Sequence, residues 1–171
     1  MNNKNFLSFS KKDIFPIGII LALALSRLIP HPPNFTPIIA VAIMSSYFFR
    51  NIYLSLFVLL MSLLITDIVI GFYQNMIFVY LSLFFVAFVS FKITENITYK
   101  NLILISFLGS FIFYLFSNLG VWLFGILYEK NLSGLINCYI LALPFFKNTL
   151  LSTILFSYIG FLSGKIYYKT I

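Results

Sequence analysis

The chain has few acids, few charges of either sign, one histidine and one cysteine. Among its 171 residues, Asp and Glu together number 4, and charged residues make up 9%. Soluble domains carry about 25%. The single cysteine, Cys138, excludes an internal disulfide and any multi-cysteine metal site. The single histidine, His31, has no second His or Cys spaced to help it hold a metal, so no metal site is expected. A phosphate-binding Gly-xxxx-Gly-Lys-Ser/Thr sequence is missing, so any use of ATP must come from separate subunits. Nucleophile-elbow and metalloprotease motifs are missing too, and no enzyme or cofactor is expected.

What is abundant is apolar. Hydrophobic residues make up 61% of the chain, and the mean hydropathy is +1.04. A soluble domain of this size has no interior large enough to hide that much apolar surface, so the chain is read as an integral membrane protein. The net charge of +7 does not point to nucleic acid. The bases occur in ones and twos between apolar runs, as membrane topology would place them, and form no stripe.

A membrane span needs ~20 apolar residues, with a range of ~17–25. Six runs qualify or nearly so: 14–29, 36–49, 52–72, 76–93, 102–124 and 146–168. The first two are short. Residues 1–13 form a polar N-terminus, and 14–168 read as one transmembrane domain. The first run leads into a proline-rich loop with no Ala-x-Ala cleavage site, so it is expected to be retained. Residues 127–145 are too polar and too short to cross, and Pro144 ends them. They are expected to form an interfacial or re-entrant helix before the last span. No internal repeat is apparent, which argues against an inverted-repeat transporter.

The charges then set orientation. Six spans with the N-terminus inside place Lys4, Lys11, Lys12, Arg50, Lys92, Lys100, Lys165 and Lys169 on the inner side. The outer side holds only Arg27, Lys130 and Lys147. That bias predicts a multi-pass membrane protein with both termini on the cytoplasmic side.

On this topology the unusual polar groups gather at the outer ends of the spans. The segment Arg27-Leu-Ile-Pro-His-Pro-Pro-Asn-Phe-Thr-Pro37 carries the only His and four of the 6 prolines. Prolines fix φ and restrict the residue before them, so this loop is stiff. Arg27 and Asp67 are charges within apolar runs. Each costs ~2.5–3.5 kcal/mol on insertion scales, so they pair or line a cavity. Arg27 either contacts an anionic or polar ligand group or locks the first span to the third through Asp67. Asn118 and Trp122 lie one helical turn apart on the fifth span. The candidate ligand-binding residues are Arg27, His31, Asn34, Asp67, Asn118, Trp122 and Asn137. Gly18 and Ala22, four apart on the first span, offer a small-residue face for a partner helix, and Gly160 and Gly164 form a second one.

These residues carry a resemblance. The Arg27–Pro37 segment with Ala40 and Ala42 is the first part of it. Thr66-Asp67 with Gly71, Ser117-Asn118 with Trp122, and the Gly134, Cys138-Tyr139, Pro144-Phe145-Phe146 block complete it. Together they resemble an uncharacterised bacterial membrane family of transport proteins of the DUF6580 type, over residues 14–165. More distantly, six short spans, a small-residue face on the first and a polar outer end resemble the substrate-binding S components of energy-coupling factor transporters. The usual Ala-xxx-Ala docking motif of those components reads Gly18-xxx-Ala22 here. The resemblance implies an all-α, S-component-like bundle that captures a small polar or vitamin-like molecule at the outer face. Its implied partners are a membrane-embedded coupling subunit and ATPase subunits in trans, with no nucleic acid. Two other readings stay open. One is a structural or assembly membrane protein without a ligand, and the other is an intramembrane enzyme using Asp67, His31 or Glu129.

Overall fold

The structure, a computed structural model, describes residues 10–49, 51–93 and 97–170. Lys4 and Arg50, two of the charges expected on the inner side, lie outside the described residues, as does most of the polar N-terminus. Six α-helices are present: α1 (Ile14–Leu25), α2 (Ile38–Phe48), α3 (Ile52–Ile70), α4 (Met76–Ile93), α5 (Tyr99–Phe124) and α6 (Leu132–Thr170). Short 3-10 turns flank α1 at Lys11–Asp13 and Ser26–Leu28. The described chain has no strand. Helices α3 to α6 are long and apolar enough to cross a membrane. Helices α1 and α2 have 12 and 11 residues, short of the ~17 that a span needs.

The arrangement is built around α2. This helix is apolar or small on every side, and such a helix belongs in an interior. Ten of its 11 residues are buried, and it packs against all five other helices. Small hydroxyl side chains let the backbones approach. Ser46 Oγ on α2 donates to the Ala87 carbonyl on α4 at 2.7 Å. Ser55 Oγ on α3 donates to Ser45 Oγ on α2 at 3.1 Å. Such bonds satisfy polar groups where no water is at hand.

The two small-residue faces have different fates. A Cβ added at Gly160 would lie 2.8 Å from Met44 Cγ, and one at Gly164 would lie 2.7 Å from Phe48 Cε1. That face packs α6 on α2. Gly18 and Ala22 are exposed, and a Cβ at Gly18 meets nothing within 4 Å.

Local chemistry sets the helix ends. The Asn51 side chain accepts from the Tyr53 and Leu54 amides to start α3, and Thr98 accepts from the Asn101 amide to start α5. Helix α3 stops at Gly71, whose φ of 101° is open to glycine and strained for other residues.

Pro144 does not act as the expected break. Helix α6 runs for 39 residues through it, about 58 Å at 1.5 Å per residue. Proline in a helix interior costs ~3 kcal/mol or more. Packing of the N-terminal third of α6 on α5 offsets that cost. Tyr114 Oη donates to the Tyr139 carbonyl at 2.6 Å, and Tyr139 Oη donates to the Leu115 carbonyl at 2.7 Å. The segment expected as a separate interfacial or re-entrant helix is therefore mostly the first third of α6.

The packing predicts opposite responses at two glycines. Gly164→Leu should overpack the α2–α6 contact and destabilise the purified protein by about 1–3 kcal/mol. Gly18→Leu should leave its unfolding midpoint unchanged in a detergent melt. Equal losses at both positions would contradict the packing described.

Candidate ligand-binding site

Because successive helices reverse direction, the α1–α2, α3–α4 and α5–α6 connections gather at one end of the bundle. The short α2 leaves space there. Helix α5 runs on to Phe124, and α6 begins well before this level, at Leu132. A cavity of about 260 Å³ lies above the start of α2. Its wall is formed by Arg27, Asn34, Thr36, Ile38, Ile39, Tyr73, Asn75, Val79, Phe113, Ser117, Asn118, Val121 and Thr149. A second cavity of about 460 Å³ shares Arg27, Asn34 and Thr36 and adds Leu28, His31, Val69 and Ile70. Arg27 thus stands between the two.

Arg27 is held from behind. Its Nη1 donates to Asp67 Oδ1 and, at 3.1 Å, to Thr66 Oγ1. Asp67 is fully buried, and its other oxygen, Oδ2, accepts from Tyr80 Oη at 2.8 Å. Asp67 lines neither cavity. Its negative charge is neutralised within the wall, while Arg27 reaches the cavity surface with its side chain 11% exposed. Tyr73 stands beside the pair. Burial, then the Asp67 charge, raises its phenol above the usual range, and Arg27 opposes this through its charge and a hydrogen bond.

The proline-rich loop is fastened to α6. Asn148 Nδ2 donates to the Pro33 carbonyl at 3.0 Å, and Thr149 Oγ1, whose hydroxyl donates to the Phe145 carbonyl at 2.9 Å, lies 3.5 Å from the Asn34 carbonyl. Phe35 packs edge-on against Phe156. Asn34 has φ 59°, the left-handed conformation that Asn tolerates better than most residues. That turn places Asn34 on the wall of both cavities, and of a smaller one between α5 and α6.

A family description matches this chain over residues 8–170: Family of unknown function (DUF6580). The chain belongs to the DUF6580 family. No curated protein and no solved structure matches it.

The sequence-predicted residues of this DUF6580 chain separate into groups. Arg27, Asn34 and Asn118 share the inner cavity, and His31 lines the outer one. Asn118 Nδ2 bonds its own helix at the Tyr114 carbonyl, 2.8 Å away. Asp67 supports Arg27 from within the wall. Trp122 and Asn137 line none of the described cavities. The Trp122 indole N–H donates to the Glu129 carbonyl at 2.9 Å. The Lys130 ammonium lies 5.8 Å from the Trp122 ring and bonds the Trp122 carbonyl. Trp122 therefore closes the α5–α6 connection. Asn137 is exposed on α6.

Sequence reasoning missed Thr36, Tyr73 and Asn75 on the wall and Tyr80 behind it. The available signal was the polar Tyr73-Gln74-Asn75 turn between the third and fourth runs, which lies at the same end as Arg27.

The geometry makes Asp67 the keystone of the wall. Asp67→Asn should leave a largely buried guanidinium without its counter-charge and destabilise the protein by about 3–5 kcal/mol. Tyr80→Phe should cost less, about 1–3 kcal/mol, by leaving one carboxylate oxygen unbonded. Denaturation of both variants in matched detergent measures this. Stability unchanged in Asp67→Asn would show that the pair is not structural.

Proposed function

We propose that this chain is the substrate-binding subunit of a membrane transport system. In this reading six helices cross a bacterial cytoplasmic membrane in an S-component-like bundle, with both termini in the cytoplasm. The cavity faces outward and captures a small polar or vitamin-like molecule. Partner subunits, a membrane-embedded coupling protein and ATPases in trans, complete its uptake. The proline-rich loop serves as one wall of the binding site.

The observation that carries this reading is a polar cavity inside an apolar bundle. Polar groups in such surroundings are costly unless bonded. Here a guanidinium, three amides and several hydroxyls converge on one space. Ligand sites combine concave shape with a few convergent polar groups in this way. The exposed Gly18–Ala22 face supports a partner helix, because small residues four apart admit close helix packing.

A second reading has its own support. The Arg27–Asp67–Tyr80 contacts tie α3 to α4 and to the turn after α1, which is what a structural protein without a ligand would need. The two readings differ in what the protein retains. Purified from native membranes, the wild-type chain should carry a bound small molecule in native mass spectrometry. Asn118→Ala should reach normal membrane abundance and retain at least about tenfold less of it, the loss expected for one hydrogen bond worth ~1.5 kcal/mol. A chain that is empty in every preparation would favour the structural reading.

A further inference from the structure

On the reading that the inner cavity is a ligand site, we infer that its ligand is a small monoanion. It carries a carboxylate, or an equivalent planar oxyanion, on a body of about ten non-hydrogen atoms. The oxyanion sits on Arg27, and the rest lies toward Asn118, Ser117 and Phe113.

The charge on the wall is of one sign. No carboxylate lines the described cavities. The nearest, Asp67, is fully buried and uses one oxygen on Arg27 and the other on Tyr80. A ligand approaching through the cavity meets the positive end of that pair. Only Nη1 of Arg27 bonds Asp67 and Thr66. A guanidinium presents a planar fork that matches a carboxylate through two parallel N–H bonds, and Arg27 lines both cavities.

Two helix starts add to the same field. Helix α4 begins at Met76, with Asn75 and Val79 on the wall, and α2 begins at Ile38, with Ile38 and Ile39 on it. Pro37 provides no side-chain cap for α2. Helix N-termini carry partial positive charge and favour anions. An ammonium ligand would face a cation and two positive helix ends with no carboxylate in reach. An uncharged ligand would leave the positive charge of this wall without a partner on the cavity side. His31 and Arg27 both line the wider outer cavity, so an approaching anion meets no carboxylate there.

Size limits the rest. A volume of about 260 Å³ corresponds to roughly nine waters at ~30 Å³ each. That space fits one small ring or a short chain beyond the carboxylate.

The test uses matched triplets on the purified full chain in lipid nanodiscs: benzoate, benzamide and benzylammonium, then butyrate, butyramide and butylammonium. The carboxylates should raise the unfolding midpoint at concentrations about tenfold lower than their amides, and the ammonium compounds should not raise it. Asn75→Asp adds a carboxylate to the wall and leaves the Arg27 side chain itself in place. Asp serves next to a helix start as well as Asn does, so the unliganded midpoint should hold. The half-saturating carboxylate concentration should rise about tenfold or more. Amides or amines binding as well as carboxylates would overturn the charge assignment and leave the cavity as a ligand site. Carboxylate binding unchanged in Asn75→Asp would also overturn it. No shift with any member of either triplet would overturn both the assignment and the site.

Discussion

The polar end of the bundle depends on one ion pair in an apolar setting. Arg27 and Asp67 are 40 residues apart in sequence, and neither charge is cheap to bury alone. Together, with Tyr80 on one carboxylate oxygen and Thr66 beside the guanidinium, they become tolerable. The contact spans the turn after α1, the end of α3 and the second turn of α4. It also fixes where Arg27 can reach. With Nη1 held, the rest of the side chain is set against the cavity and cannot fold away into a looser arrangement.

The cavity itself is a consequence of length. Helix α2 is the most enclosed element, yet at 11 residues it is about 16 Å long. Its neighbours are longer, so the column it occupies is not filled to the end. The chain fills part of that space with a proline-rich loop rather than more helix. Asn34 turns the loop through a left-handed residue, and Asn148 ties it to α6. Polar side chains that would be a liability in a packed core are accommodated because they border a space.

Much of this was legible in the residues, and the misses have physical causes. Arg27 and Asp67 stood out because charges are rare in apolar runs, and the structure joins them. Asn118 stood out as an amide in an apolar run and Asn34 as part of the polar, proline-rich loop, and they meet at the cavity. Tyr80 did not, because one phenol among 11 tyrosines gives no contrast. Asn75 gave no contrast because Asn is ordinary in a short turn between two apolar runs. Trp122 was a ligand-binding candidate from its helical register with Asn118, but register does not say which neighbour an indole bonds, and Glu129 supplies that partner. Pro144 looked like a stop because propensity is local. The bonds that carry α6 through it come from Tyr114 and Tyr139, and the sequence pattern contains no information on that pairing. Gly18 and Gly160 belong to the same small-residue pattern, and only tertiary packing separates an open face from a filled one.

The central claim is that the held guanidinium faces a space built for a ligand. A density map of the full chain in nanodiscs, prepared from native membranes without added compounds, tests it most directly. The account predicts compact density between Arg27 and Asn118, joined to the guanidinium and separate from the lipid. A cavity closed by its own side chains, or filled only by a lipid acyl chain, would contradict it.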